Sequence, residues 1–226
     1  MKILIVSATT LEIKPIMQHF SFVKRIDSSV SRYRYKNMQV DVLTTGVGMV
    51  PMAYLMGKTL QQNDYDAAFN FGIAGSFKQN IKIGNVVHIT HEQFPELGAE
   101  NGEYFLSLID LKLLEEDSFP FKNGELINNN TISSKTISEL PKVRGITVNR
   151  VHGNNQSIMK IIDRCNPDTE SMEGAAFIYA CKLEGIPCCQ IRSISNFVEH
   201  RDTDRWDIPL AIENLNKKIL EILNES

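Results

Sequence analysis

No stretch of this 226-residue sequence approaches the ~20 consecutive apolar residues that a membrane-spanning helix requires. The opening run, MKILIVSATT, has one lysine and a short apolar core, but LEIKP follows where a signal peptide would need small residues before its cleavage site. It reads as the first β-strand of a cytoplasmic protein. Cysteine is scarce: Cys165, Cys181, Cys188 and Cys189 show no C-x-x-C spacing, and two of them are adjacent in a strand-like run. That argues against a zinc site or a disulfide framework and for free, mostly buried thiols in a reducing compartment. An excess of one charge is missing too. With 24 Lys and Arg against 27 Asp and Glu, net −3, the chain has no electrostatic reason to seek nucleic acid or an anionic membrane. TTGVGMV (44–50) contains G-x-G without the rest of G-x-G-x-x-G, so a dinucleotide site lacks its fingerprint. Neither repeats nor low-complexity segments occur.

What is present is alternation of strand and helix. KILIVS (2–7) reads as a buried strand and 10–20 as a helix. SRYRYKNMQVDVLTTG (31–46) reads as two strands meeting near Lys36 and Asn37, 50–63 as a helix, and 65–72 as a strand ending on glycine. A strand over 84–94 enters a less regular region, 95–140, where polar runs such as KNGELINNN predict loops. A strand at 142–151, helices at 154–164 and 170–184, a strand at 187–195 and a helix at 207–224 complete the chain. The pattern predicts one α/β domain over residues 1–226, three layers (αβα) around a mixed central sheet. In such sheets ligands gather at strand carboxyl ends. The exits SATTLE, FNFGIAGSF, TVNRVHG and SISNFVEHR all carry polar chemistry.

Each candidate residue has a bland reading beside a functional one. Glu12 follows Thr9 by three, the spacing of a capping box, and spacing alone favours the cap; the alternative is a general base at the top of the first strand. Glu173 stands at the mouth of the apolar helix segment GAAFIYAC. Acids favour a helix's first turn, but a half-buried carboxylate also needs hydrogen-bond partners, and the two hydroxyls of a cis-diol would supply them. In NFGIAGSF the small residues, Gly75 among them, let backbone approach a ligand, and a plain turn would look similar. Neither this loop nor SATTLE carries an arginine, which argues against a bound phosphate nucleophile. Asn196 is either a turn residue or a pocket amide that both donates and accepts.

These segments resemble the purine nucleoside phosphorylase and nucleosidase superfamily. The likeness rests on SATTLEI, TTGVGMVPMAY, NFGIAGSFKQNIKIGNVV, TESMEGAAFIYAC and CCQIRSISNFVEHRD, which follow the family's order over nearly the whole chain. Within it, FPELGAENG (94–102), GITVNRVHG (145–153) and DRWDIPLAI (204–212) are similar to stretches of the futalosine-hydrolysing family of the menaquinone pathway. The resemblance implies a nucleoside phosphorylase-like fold and cleavage of an N-glycosidic bond without metal or organic cofactor. It implies that Glu12 activates water, that Glu173 binds the ribose hydroxyls with Met172 against the sugar, and that Gly75 approaches the substrate. It also implies that Val151 and His152 flank the purine and that Arg192 and Ser195 orient the two acids and the loop. Two positions depart from the methylthioadenosine/adenosylhomocysteine nucleosidases: Ile73 replaces a usual serine, and Asn196 an aspartate. An amide offers its NH₂ to a 6-oxo group or N7, which suits hypoxanthine. The rivals are an adenine-releasing nucleosidase, a phosphorylase, and a purine-binding module without catalysis. For a carboxylate beyond C5′ the cation of choice is Arg201. The resemblance further implies a homodimer in which Phe94 or Leu97 covers the partner's 5′ pocket.

Overall fold

The computed structural model describes residues 1–129 and 132–225. Its strands are β1 (Lys2–Ser7), β2 (Ser21–Arg25), β3 (Val30–Tyr35), β4 (Met38–Thr44), β5 (Ala67–Ser76), β6 (Val86–Gln93), β7 (Gly98–Asn101), β8 (Tyr104–Ser107), β9 (Leu126–Ile127), β10 (Lys142–Thr147), β11 (Thr169–Ser171) and β12 (Cys188–Phe197). The helices are α1 (Thr10–Met17), α2 (Met49–Gln62), α3 (Lys135–Glu139), α4 (Asn155–Cys165), α5 (Gly174–Leu183) and α6 (Ile208–Asn224). One mixed sheet runs β11-β10-β6-β12-β5-β1-β4-β3-β2, with β9 beside β6. The α/β class and the mixed sheet expected from the sequence are both present.

Strand β1 explains the layering. Its side chains alternate between two cores: Ile3 and Ile5 pack with Ile13, Ile16, Leu215 and Ile219 of α1 and α6. Leu4 and Val6 pack with Met52, Met56 and Phe177 of α2 and α5. A strand buried on both faces must be apolar throughout, because period-two alternation sends successive residues into different cores. The short strand β11 pairs in parallel with β10 and antiparallel with the end of β5. One side of the sheet therefore closes into a ring of β5, β12, β6, β10 and β11 around Ala74, Val87, Ile89, Val143 and Ile194.

Several boundaries differ from expectation. Residues 169–171 are strand, not helix, because Gly145 to Thr147 and the Gly75–Ser76 end of β5 both offer unpaired backbone there. The helix begins only at Gly174, leaving Glu173 as its N-cap residue. The strand expected to reach 151 stops at Thr147. The first helix ends at Met17, short of Phe20. Strand β2 was not anticipated: all five of its residues are exposed, so no buried pattern marks it. The irregular region holds the hairpin β7–β8, β9 and α3, and its positions 130 and 131 lie outside the described residues.

Candidate active site

A cavity of about 370 Å³ opens where β1, β5 and β12 end. Its lining includes Glu12, Gly75, Val151, His152, Met172, Glu173, Ser195 and Asn196, all singled out from the sequence, together with Ile73, Glu170 and Trp206. Two residues expected at the site do not line it. Arg192 lies fully buried behind it, and Arg201 stands outside, its guanidinium 4.8 Å from the Trp206 ring centroid.

The two oxygens of Glu12 have different surroundings. Oε2 accepts from Ser7 Oγ, Thr9 N and Thr9 Oγ1, each at 2.9 Å. The bond from Thr9 N is the return half of the capping box. Among the described residues Oε1 accepts only from the Ile73 amide, at 3.2 Å, and it keeps lone-pair capacity toward the cavity. The carboxylate is 8% exposed, so it is held rigidly yet within reach of a small ligand. At the position of Ile73 the partner of Glu12 is a backbone amide, which any residue but proline supplies.

Glu173 is likewise 8% exposed, and its Oε1 accepts from Gly48 N at 2.8 Å. Gly48 has φ +105°, a conformation that side chains rarely adopt. The partial G-x-G of TTGVGMV thus aims an amide at a carboxylate rather than at a pyrophosphate. Burial raises the Glu173 carboxyl above its ordinary value, while the Arg192 guanidinium pulls it back.

Arg192 is the counter-charge for the whole site. It is 2% exposed and donates through Nη2 to Asn70 Oδ1. Its own pKa is lowered by burial and supported by Glu173, Glu12 and Glu92, in that order. Gly72 makes the arrangement possible: a Cβ there would sit 2.9 Å from both Arg192 Nη1 and Glu12 Oε1. The glycine is needed for the guanidinium and the acid to approach each other, a role the sequence pattern did not suggest.

Beneath Glu173 lies a carboxylate that sequence reasoning missed. Glu92, 1% exposed, accepts from Gln190 Nε2 at 2.8 Å and Thr147 Oγ1 at 2.9 Å. Thr147 Oγ1 in turn accepts from Ala175 N at 2.7 Å, in the first turn of α5. Burial pushes the Glu92 carboxyl up from 4.5 to about 7. Between those values the folded protein keeps a proton that the unfolded chain has released. Stability from this group is therefore lost as pH rises from about 4.5 to about 7, by roughly 3 kcal/mol in all. Glu92→Gln should flatten this dependence: in urea unfolding at pH 5 and pH 8, the parent loses roughly 2–3 kcal/mol more than the variant. The same pH dependence in both would remove Glu92 as its source.

At the other end, Asn196 sits after a bulge in β12, where Ile194 pairs with Ala74 and Asn196 with Gly75. The bulge turns Ser195 and Asn196 toward the cavity. Asn196 Nδ2 donates to Phe197 O at 3.0 Å, and Oδ1 accepts from Ser195 Oγ at 2.8 Å. A carbonyl can only accept, so this pairing orients the amide and leaves one N–H for a ligand. Among the described residues, no three His, Cys, Asp or Glu side chains gather as a metal site, and no helix is long and apolar enough to cross a membrane.

The chain is similar to known proteins in sequence and in fold. The sequence is 28% identical over 189 residues to the futalosine hydrolase of Thermus thermophilus, covering 81% of this chain and 80% of that one. It is 22% identical to the 5′-methylthioadenosine/S-adenosylhomocysteine nucleosidase of Glaesserella parasuis, over 99% of both chains. The fold superimposes on the Helicobacter pylori 5′-methylthioadenosine/S-adenosylhomocysteine nucleosidase solved with butyl-thio-DADMe-Immucillin-A. That match has a TM-score of 0.82 at 17% identity and covers 100% of this chain and 98% of that one. The profile of the phosphorylase superfamily runs from residue 2 to residue 224. With its strand order, cavity and paired acids described above, this chain belongs to the phosphorylase superfamily.

Proposed function

We propose that the protein is an N-glycosyl hydrolase that cleaves futalosine to hypoxanthine and dehypoxanthine futalosine, a step of menaquinone biosynthesis. The observation that carries this reading is the pair of buried acids, Glu12 and Glu173, at one cavity whose far end presents the Asn196 amide. In the proposed reaction, water on Glu12 Oε1 attacks C1′ and gives its proton to the carboxylate as the C1′–N9 bond breaks. Glu173 accepts from the 2′- and 3′-hydroxyls through the lone pairs Gly48 leaves free, and its charge steadies the oxocarbenium-like sugar. Met172 packs on the ribose. Asn196 Nδ2 donates to the departing base, which takes its proton from solvent. Arg192 holds both acids in place. Val151 and His152 border the base.

Futalosine carries an aryl carboxylate beyond C5′. Trp206 lines the cavity and Arg201 stacks on that ring, which supports Arg201 as the cation for the carboxylate. We also retain the homodimer. Phe94, Leu97, Val50, Tyr54 and Tyr179 line an apolar groove of about 610 Å³, a surface suited to a second copy of the chain. Light scattering should report twice the chain mass, and an active monomer would remove the shared pocket.

Chromatography of products from futalosine, inosine and methylthioadenosine, with and without phosphate, tests the function. Hypoxanthine should appear fastest from futalosine, at a rate indifferent to phosphate. The second reading, an adenine-releasing nucleosidase, draws on the relative matched over 99% of both chains. Adenine as the main product would establish it. Ribose 1-phosphate-type products would make the protein a phosphorylase.

A further inference from the structure

Glu170 is a cavity carboxylate that the reaction above does not use. It is 3% exposed, and it lines the cavity beside Ser171 and Met172. Strand register decides where it points. Glu170 of β11 pairs with Gly75 from one side, and Asn196 of β12 pairs with Gly75 from the other. A Cβ at Gly75 would lie 2.9 Å from Val198 Cγ2, 3.2 Å from Asn196 Nδ2 and 3.6 Å from Glu170 Cγ. Only a glycine fits there, and it lets the Asn196 and Glu170 side chains pack close together on the cavity wall.

The carboxylate is fixed by one neighbour. Oε1 accepts from His152 N at 3.0 Å, and His152 Nδ1 lies 2.7 Å from Oε2. An ionised carboxylate only accepts, so Nδ1 carries the hydrogen. The His152 ring meets Phe77 edge-on at 6.3 Å, which restrains it further. Two donors leave lone pairs on both Glu170 oxygens, and a buried carboxylate with spare lone pairs calls for a further donor.

We infer that Glu170 is a specificity-determining residue that accepts the N1–H of a 6-oxopurine while Asn196 donates to the adjoining O6/N7 edge. This rests on the purine nucleosidase reading above and deepens it. The order of groups along the site, donor then acceptor, matches the order along hypoxanthine, acceptor O6 then donor N1–H. Adenine reverses both: its amino group would face the Asn196 donor, and its N1 lone pair would face the carboxylate. A site built around a buried hydrogen bond rejects an analogue lacking it far more strongly than an apolar pocket rejects a change of size.

The test pairs two substrates with two ligands. Futalosine and its 6-amino counterpart are assayed with the parent and with Glu170→Gln; hypoxanthine and 1-methylhypoxanthine are titrated calorimetrically into the parent and into Glu170→Ala. The parent should prefer the 6-oxo substrate by about 10²-fold or more in kcat/KM. Glu170→Gln should lose about 10²–10³-fold on it and change within about threefold on the 6-amino substrate. The parent should bind 1-methylhypoxanthine about 10²-fold more weakly than hypoxanthine, and the gap should close in Glu170→Ala. Parallel losses on both substrates, with the parental preference intact, would make Glu170 an anchor for His152 and overturn the inference alone. A parent that prefers the 6-amino substrate would overturn the futalosine reading, and this inference with it. Should neither variant fold, equal affinity of the parent for the two free bases would still refute the contact.

Discussion

Glu12→Gln should lower kcat by about 10²–10⁴ and leave KM within a few-fold. Three donors converge on Oε2, from Ser7 and Thr9. The variant's amide oxygen should take that position, where the Thr9 amide donates at 2.9 Å against 3.2 Å from Ile73 at the other oxygen and two hydroxyls can also donate. Its NH₂ then falls where Oε1 was, opposite the Ile73 amide and the cavity. It can neither accept the Ile73 hydrogen nor take a proton from water. The capping bond from Thr9 survives, so thermal stability should change little while turnover collapses. Steady-state kinetics beside a melting curve separates the two roles. Near-normal turnover would leave Glu12 a helix cap and nothing more.

An effect of similar size should follow at the sugar. Glu173→Gln keeps an oxygen for the Gly48 amide but loses the negative charge beside the developing cation, at a cost of about 10²–10⁴ in kcat/KM. The parent should also cleave a 2′-deoxy substrate poorly, since one of the two hydroxyls that satisfy the carboxylate is gone. The pH profile gives a sharper readout. Burial holds the Glu173 carboxyl above its ordinary value, so activity should fall as pH decreases through that raised pKa, where the carboxylate gains a proton. In Glu173→Gln this acid limb should vanish. A limb that stays in place would belong to another carboxylate of the site and not to Glu173. Equal rates on ribo and deoxyribo substrates would take Glu173 away from the diol altogether.

Glu12, Glu173 and Asn196 were legible as candidates because each stands at the end of a strongly apolar segment, where a polar residue is conspicuous. Glu170 and Glu92 were not. Glu170 looked like the first turn of a helix, since nothing local distinguishes the strand 169–171 from a helical lead-in to GAAFIYAC. Its strand identity comes from two partners distant in sequence, Gly145–Thr147 and Gly75–Ser76. Glu92 sits in THEQF among polar neighbours, and its burial comes from Thr147 and Gln190, which are 55 and 98 positions away.

The sequence by itself determined the α/β class, the run of buried strands and helices, and the acids at strand and helix ends. Those features are written in local periodicity: a strand covered on both faces must be apolar at every position, and a helix must begin where its capping groups are. Tertiary structure alone decided which charges meet. Arg192, Glu12 and Glu173 become one electrostatic unit only because β12, α1 and α5 converge and Gly72 leaves room between guanidinium and carboxylate. Glu170 and Asn196 line one wall of the cavity only because β11 and β12 both pair with Gly75. Pairing between strands depends on contacts remote along the chain, and no spacing within a single segment records it.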